Sequence, residues 1–111
     1  MQHTFSVKIA VIAGIPAAVI LQYISFWVKA NEDEGRNYED GRYWTYLTVK
    51  DIKEKFPYLS ENQVRLAIKK LKENNLVHTG NYNHKSFDHT TWFTLSEKAW
   101  SILKSNENRG F

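Results

Sequence analysis

LTVKDIKEKFPYLSENQVRLAIKKLKENNLV, residues 47–77, reads as two short helices joined by a tight turn, and the rest of the chain arranges itself around that pair. Thr48 can cap a helix over residues 49–56, in which Val49, Ile52 and Phe56 fall on one face before Pro57 stops it. Pro57, Tyr58 and Leu59 form the turn, and Leu59 sits where it can staple the start of the second helix. Ser60 opens that helix over residues 60–74: its hydroxyl accepts from the N–H three residues on, while Gln63 reaches back, a capping box. Val64, Ala67, Ile68 and Leu71 share its inner face. The opposite face holds Glu61, Asn62, Arg65, Leu66, Lys69 and Lys72, with Gln63 and Lys70 at its edges. A helix buried on one side and lined with amides and cations on the other suits the major groove of DNA. It ends near Asn74 and Asn75, and asparagine tolerates the left-handed backbone that a helix end requires.

Downstream, residues 76–83 (LVHTGNYN) and 90–96 (TTWFTLS) read as two strands around HKSFDH, residues 84–89. Alternation in the second sets Thr91, Phe93 and Leu95 against Trp92, Thr94 and Ser96, so one face can close on a core. Two strands directly after a basic helix form a wing. Ser96 caps a last short helix over 97–105, which can bury Trp100 and Leu103. The domain is expected to span residues 1–104, with 105–111 (SNENRGF) a polar tail or linker stub. Upstream, YWTYLTV at 43–49 is rich in aromatic and β-branched residues and reads as a single strand, with Trp44, Tyr46 and Thr48 on one side. Residues 31–41 (NEDEGRNYEDG), with five carboxylates, read as a polar loop, since their spacing does not match a calcium-binding loop.

The most hydrophobic window, residues 9–28, is long enough to cross a bilayer. Gly14 and Pro16 divide it, proline favours the first turn of a helix, and the flanks carry no strong positive cluster. A helix near 5–13 followed by a buried helix over 16–30 is therefore expected, with no membrane partner. Ile20, Leu21, Ile24, Trp27 and Val28 form one apolar face of the second helix. Val19, Tyr23, Phe26 and Ala30 form another stripe, and a helix so apolar must be covered on both sides. Either the first helix covers it, or Val19, Tyr23 and Phe26 belong to a homodimer interface.

At 111 residues the chain suits one domain with a modest core, and 16 phenylalanines, tryptophans and tyrosines make large rings its main filling. It has no cysteine, which removes disulfide frameworks and thiolate metal sites and fits a reducing cytoplasm. The net charge of +3 is unevenly spread: residues 31–42 are acidic, whereas the segments before and after them are basic. The acidic block should face away from any polyanion, and the basic part permits nucleic-acid binding without requiring it.

The order of two N-terminal helices, strand, helix, turn, helix, two-to-three-stranded sheet with a wing and short C-terminal helix is an α+β arrangement that looks like a winged helix-turn-helix. The local sequence is more specific. LQYISFWVKAN (21–31), DGRYW (40–44), KFPYLSENQVRLAIKKLKENNLV (55–77), GNYN (80–83) and TTWFTL (90–95) resemble the N-terminal winged-helix domain of Gram-positive phage replisome organisers, replication initiation proteins related to the DnaD type. The resemblance covers residues 5–96; the helix-turn-helix alone would also fit GntR-like or MarR-like repressors. It implies duplex DNA binding at a replication origin, with the 60–74 helix in the major groove and the 84–89 wing on adjacent backbone. Leu66 departs from the pattern, standing where such helices often carry arginine, and the resemblance does not extend to the long C-terminal region that recruits a helicase loader.

In that reading Asn62 and Gln63 can pair with adenine and Arg65 with guanine, while Lys69, Lys70 and Lys85 contact phosphates, and Leu66 and His84 lie on the same surface. Each has a plainer alternative: a solvated helix face for Arg65 and the lysines, capping alone for Gln63. A module this small should need a second copy for specific recognition, so a homodimer is the expected assembly. His84, Asp88 and His89 invite a metal reading, but no fourth ligand is evident. No metal, cofactor or enzymatic activity is expected: the chain has no Gly-rich phosphate loop, no cysteine nucleophile and no carboxylate pair in an apolar setting. The rival function is a protein-interaction module, used for self-assembly or docked on replication or host proteins as a small phage inhibitor would be; Leu66 and the mild charge favour it.

Overall fold

The computed structural model describes residues 4–81 and 90–107. Helix α1 (Val7–Ala13) starts where the Ser6 hydroxyl accepts from the Ile9 N–H at 3.2 Å. It ends at Gly14, whose φ of 94° and ψ of 160° are open to glycine and strained for other residues. Pro16 lies in the first turn of α2 (Ile15–Glu34), where its missing N–H removes no helical bond.

α2 runs a full turn past the expected end at residue 30, so the segment 31–34 is helix and not loop. Two features explain the extension. Gly35 supplies the left-handed cap, with the Gly35 and Arg36 N–H groups donating to Glu32 O and Asn31 O. Asn31 is buried, and its Nδ2 donates to the Trp44 carbonyl at 2.8 Å. An asparagine read as a turn former is thus a buried tie between α2 and the next segment.

A small hairpin follows, β1 (Tyr38–Glu39) paired with β2 (Arg42–Tyr43), turning on Asp40 and Gly41 with φ of 50° and 76°. Positive φ at both central residues is what a two-residue hairpin of right-handed twist requires. The single strand expected over 43–49 is broken at Trp44. That indole turns inward under the hairpin, its Nε1 donating to Glu39 O at 2.8 Å and its backbone N–H to Asn37 O at 3.0 Å. Trp44 and Thr45 are consequently both buried, and the alternation resumes only in β3 (Thr45–Leu47).

α3 (Val49–Lys55) and α4 (Glu61–Glu73) keep their expected positions, each opened by a complete capping box, Thr48 with Asp51 and Ser60 with Gln63. α4 closes on Asn74 and on Asn75, whose φ is 57°. β4 (Val77–Gly80) and β5 (Thr91–Leu95) then complete an antiparallel sheet in the order β3-β5-β4. Phe93 pairs with Thr45 and Thr79 on the inner face, while Trp92 pairs with Tyr46 and Gly80 on the outer face. Thr94 is buried although it belongs to the outer face, because its hydroxyl donates to Tyr43 O at 2.7 Å. α5 (Glu97–Glu107), capped by Ser96, runs on into the segment expected to be a tail; it buries Ala99, Ile102 and Leu103 and leaves Trp100 half-buried. The described residues form an α+β fold of five helices and a small antiparallel sheet, compatible with a winged helix.

The core is centred on α2, which packs against α1, α4, β5 and β3. Val19 is 4% exposed and belongs to this intramolecular core, so it does not lie on a dimer interface. Trp27, expected inside, is 38% exposed, and Phe26 is 63% exposed. Ile20, Leu21, Ile24 and Val28 of the expected inward face are buried, so that face stands, widened to take in Val19 and without Trp27. The reason is the length of α1: seven residues extend about 10 Å, enough to cover only the first turns of α2, so Val19 is enclosed and Phe26 and Trp27 are not. Tyr23 is intermediate, its ring set edge-on to Phe56 at 5.6 Å. No helix among the described residues is long and apolar enough to cross a membrane.

Candidate nucleic-acid interface

The reciprocal bonds of the α4 capping box determine what its first turn can offer. Ser60 Oγ accepts from the Gln63 N–H at 3.1 Å, and Gln63 Oε1 accepts from the Ser60 N–H at 2.8 Å. Paired recognition of adenine needs both the amide oxygen and the amide nitrogen. Gln63 gives one of the two acceptor positions of its amide oxygen to the cap, so pairing with adenine by this side chain competes with its capping role. Asn62 is exposed, and its amide makes no hydrogen bond among the described residues.

Successive residues of α4 are rotated by about 100°, which divides its exposed surface into three strips. Asn62 and Lys69 form the crest. Glu61, Arg65 and Lys72 lie on the edge toward α3 and the sheet, whereas Gln63, Leu66 and Lys70 lie on the far edge. The residues expected to act as one set are thus spread around nearly half of the helix, and Leu66, 51% exposed, sits among the far group.

Charge on this helix is partly cancelled from within. Arg65 donates through Nε and Nη2 to Glu61 Oε1 at 3.2 and 2.7 Å, and Lys69 lies 3.9 Å from Glu73. Both pairs are well exposed and contribute about 0.3–0.5 kcal/mol each, so a phosphate or a base can take either cation from its partner. Lys70 and Lys72 have no ion pair among the described residues.

The structure adds cations that the sequence reading passed over. A groove between α3, α4 and the start of β5 is lined by Thr48, Lys50, Lys53, Glu61, Arg65 and Thr91. It continues past Arg65 into a hollow bordered by Ile68, Lys72 and Thr79. Four cations from two helices therefore converge on one channel, in which Glu61 is the single lining carboxylate and is already held by Arg65. The signal for Lys50 and Lys53 was present in their spacing: they lie three apart, as neighbours on the exposed surface of α3. Only packing shows that this side faces the same channel as Arg65.

His84 and Lys85, together with Asp88 and His89, lie outside the described residues. The strand residues Thr79 and Thr91 that flank this segment both border the channel. Among the described residues no cluster of three or more histidines and carboxylates could hold a metal ion. Partial burial raises the Tyr58 phenol above its ordinary value. The chain matches no protein-family model, and neither curated proteins nor solved structures show a significant similarity to it.

Proposed function

We propose that this chain is a winged-helix module that binds duplex DNA, with the crest and α3-facing edge of α4 in the major groove. The observation that carries the proposal is the convergence of Lys50, Lys53, Arg65 and Lys72 on one channel beside Asn62 and Lys69. Cations gathered along a continuous strip match a phosphate backbone, and the Asn62 amide and the Arg65 guanidinium can reach base edges. Arg65 reads guanine once it leaves Glu61, Asn62 reads adenine, and the lysines hold phosphates. Replication initiation at an origin, in the cytoplasm and without enzymatic activity or a cofactor, rests on the sequence resemblance to phage replisome organisers. Pairing of two copies stays in this proposal, with Phe26 in place of the buried Val19 at its centre.

Fluorescence anisotropy on a labelled duplex, titrated with salt, tests this reading. Four phosphate contacts correspond to a slope of log K against log salt of about −4. Lys50→Ala with Lys53→Ala should weaken binding on every sequence and flatten the slope by about 2. A wild-type protein that leaves duplex DNA unbound at low salt, or a double variant with unchanged slope, overturns it.

A second reading, a protein-interaction module, is favoured by Leu66 on the exposed face of α4 and by the open aromatic side of α2.

A further inference from the structure

On the other side of α3 from the basic channel lies a second groove whose walls are aromatic. Tyr23 and Trp27 of α2 form one wall, with ring centroids 6.4 Å apart and planes at 88°. Tyr46 and Leu47 of β3 form the opposite wall, and Tyr46 is held by Trp92 on the neighbouring strand at 5.2 Å. Tyr46 is 52% exposed and Trp27 38%, so the two rings face solvent across the groove and are already oriented by their neighbours. Rings fixed in this way lose little conformational freedom when a ligand arrives.

The charges lining this groove select the ligand. Both cations are engaged: Arg36 with Glu34 at 2.6 Å, and Lys55 with its Nζ 5.7 Å from the centre of the Tyr23 ring. Of the two lining carboxylates, Asp51 accepts from the Thr48 N–H at 2.9 Å. Glu54 makes no hydrogen bond or ion pair among the described residues. Segment 31–42 lines the same groove with two neutral amides, Asn31 and Asn37, and with Arg36, whose charge Glu34 offsets. A free carboxylate between aromatic faces repels a phosphate backbone and an acidic peptide, and attracts a cationic side chain, which can stack on a ring and pair with the carboxylate together.

We infer that this groove is a docking site for a basic segment of a partner protein, a lysine or arginine pairing with Glu54 and lying on Trp27 or Tyr46, with an adjacent apolar side chain against Leu47. Lys55 over the Tyr23 ring shows within the molecule the contact that the partner's cation makes at the other rings. The surface is separate from the DNA channel, so either function can fail without the other.

The test is a titration of the isotopically labelled protein with two matched sets of short synthetic peptides, one carrying lysine and arginine among leucines, the other carrying glutamate at the same positions. Amide and indole resonances give the site and the affinity. Expected are shifts confined to Tyr23, Trp27, Tyr46 and Glu54 with the basic set, and a loss of about tenfold in affinity in Glu54→Arg, the sum of a charge pair and a cation–π contact. Tyr46→Ser, at an exposed position, should weaken binding similarly, and Lys69→Ala should leave it unchanged, each variant being checked for an unaltered fold by its spectrum. Equal binding of the glutamate set, shifts on α4 instead, or no shifts in any set overturn the inference. So does a wild-type dimer that Glu54→Arg converts to monomer, because a second copy then occupies the groove.

Discussion

Asn31, in the last turn of α2, donates from Nδ2 to the main-chain carbonyl of Trp44 at 2.8 Å, thirteen residues away and out of contact with water. This bond joins the central helix to the sheet at the point where the hairpin ends. Asn31→Ala removes the donor and leaves a buried carbonyl without its partner, so a loss of about 1–3 kcal/mol is expected in urea denaturation. A loss within error would show that the carbonyl finds another donor.

Gly14 joins α1 to α2 with φ of 94°. A Cβ built there meets only Pro16 Cδ, at 3.9 Å, which is ordinary contact. The penalty for Gly14→Ala is therefore one of backbone and not of space, about 1–3 kcal/mol, and it should appear as a lowered urea midpoint with an unchanged slope. If α1 instead detaches, the slope will also change, because less surface is then exposed on unfolding.

Gln63 closes the α4 cap with its amide oxygen. Gln63→Ala should reduce stability by about 0.5–1.5 kcal/mol through the lost hydrogen bond and leave the base preference of any duplex bound by the protein unchanged. Asn62→Ala should do the reverse, with stability nearly constant and preference relaxed. Denaturation and competition with variant duplexes distinguish the two.

Leu66, half exposed on the far edge of α4, has no core to lose. Leu66→Arg is expected to stay within about 0.5 kcal/mol of the wild type in stability. Because that edge points away from the channel of Lys50 and Arg65, the DNA salt slope should rise by less than the about 0.9 that a full phosphate contact adds. A rise of a full unit would place the far edge on the backbone.

Phe26 is the apolar position on α2 best placed for pairing of two copies. Sedimentation of the wild type should show a dimer that Phe26→Glu dissociates without lowering the melting temperature. Tyr23→Glu is a less clean test, since Tyr23 packs on Phe56 and its loss also disturbs the junction between α2 and α3.

What the sequence determined by itself is the local part of the molecule. The caps at Thr48, Ser60 and Ser96, the turn around Pro57 and the asparagine end of α4 depend on hydrogen bonds and backbone angles within four or five residues, so their residue types announce them, whereas the hairpin turning on Asp40 and Gly41 lay inside a segment read as a loop. The inner face of α4 was legible for a similar reason, because polar residues bound its apolar strip on both sides. α2 had no such boundary. A helix apolar around most of its circumference does not say which side its neighbours cover, and only the short reach of α1 buried Val19 while leaving Phe26 and Trp27 in water. The bend at Trp44, the tie from Asn31 and the meeting of Lys50 and Lys53 with Arg65 likewise join residues distant along the chain. Those relationships arise from packing between elements, and tertiary structure alone decides them.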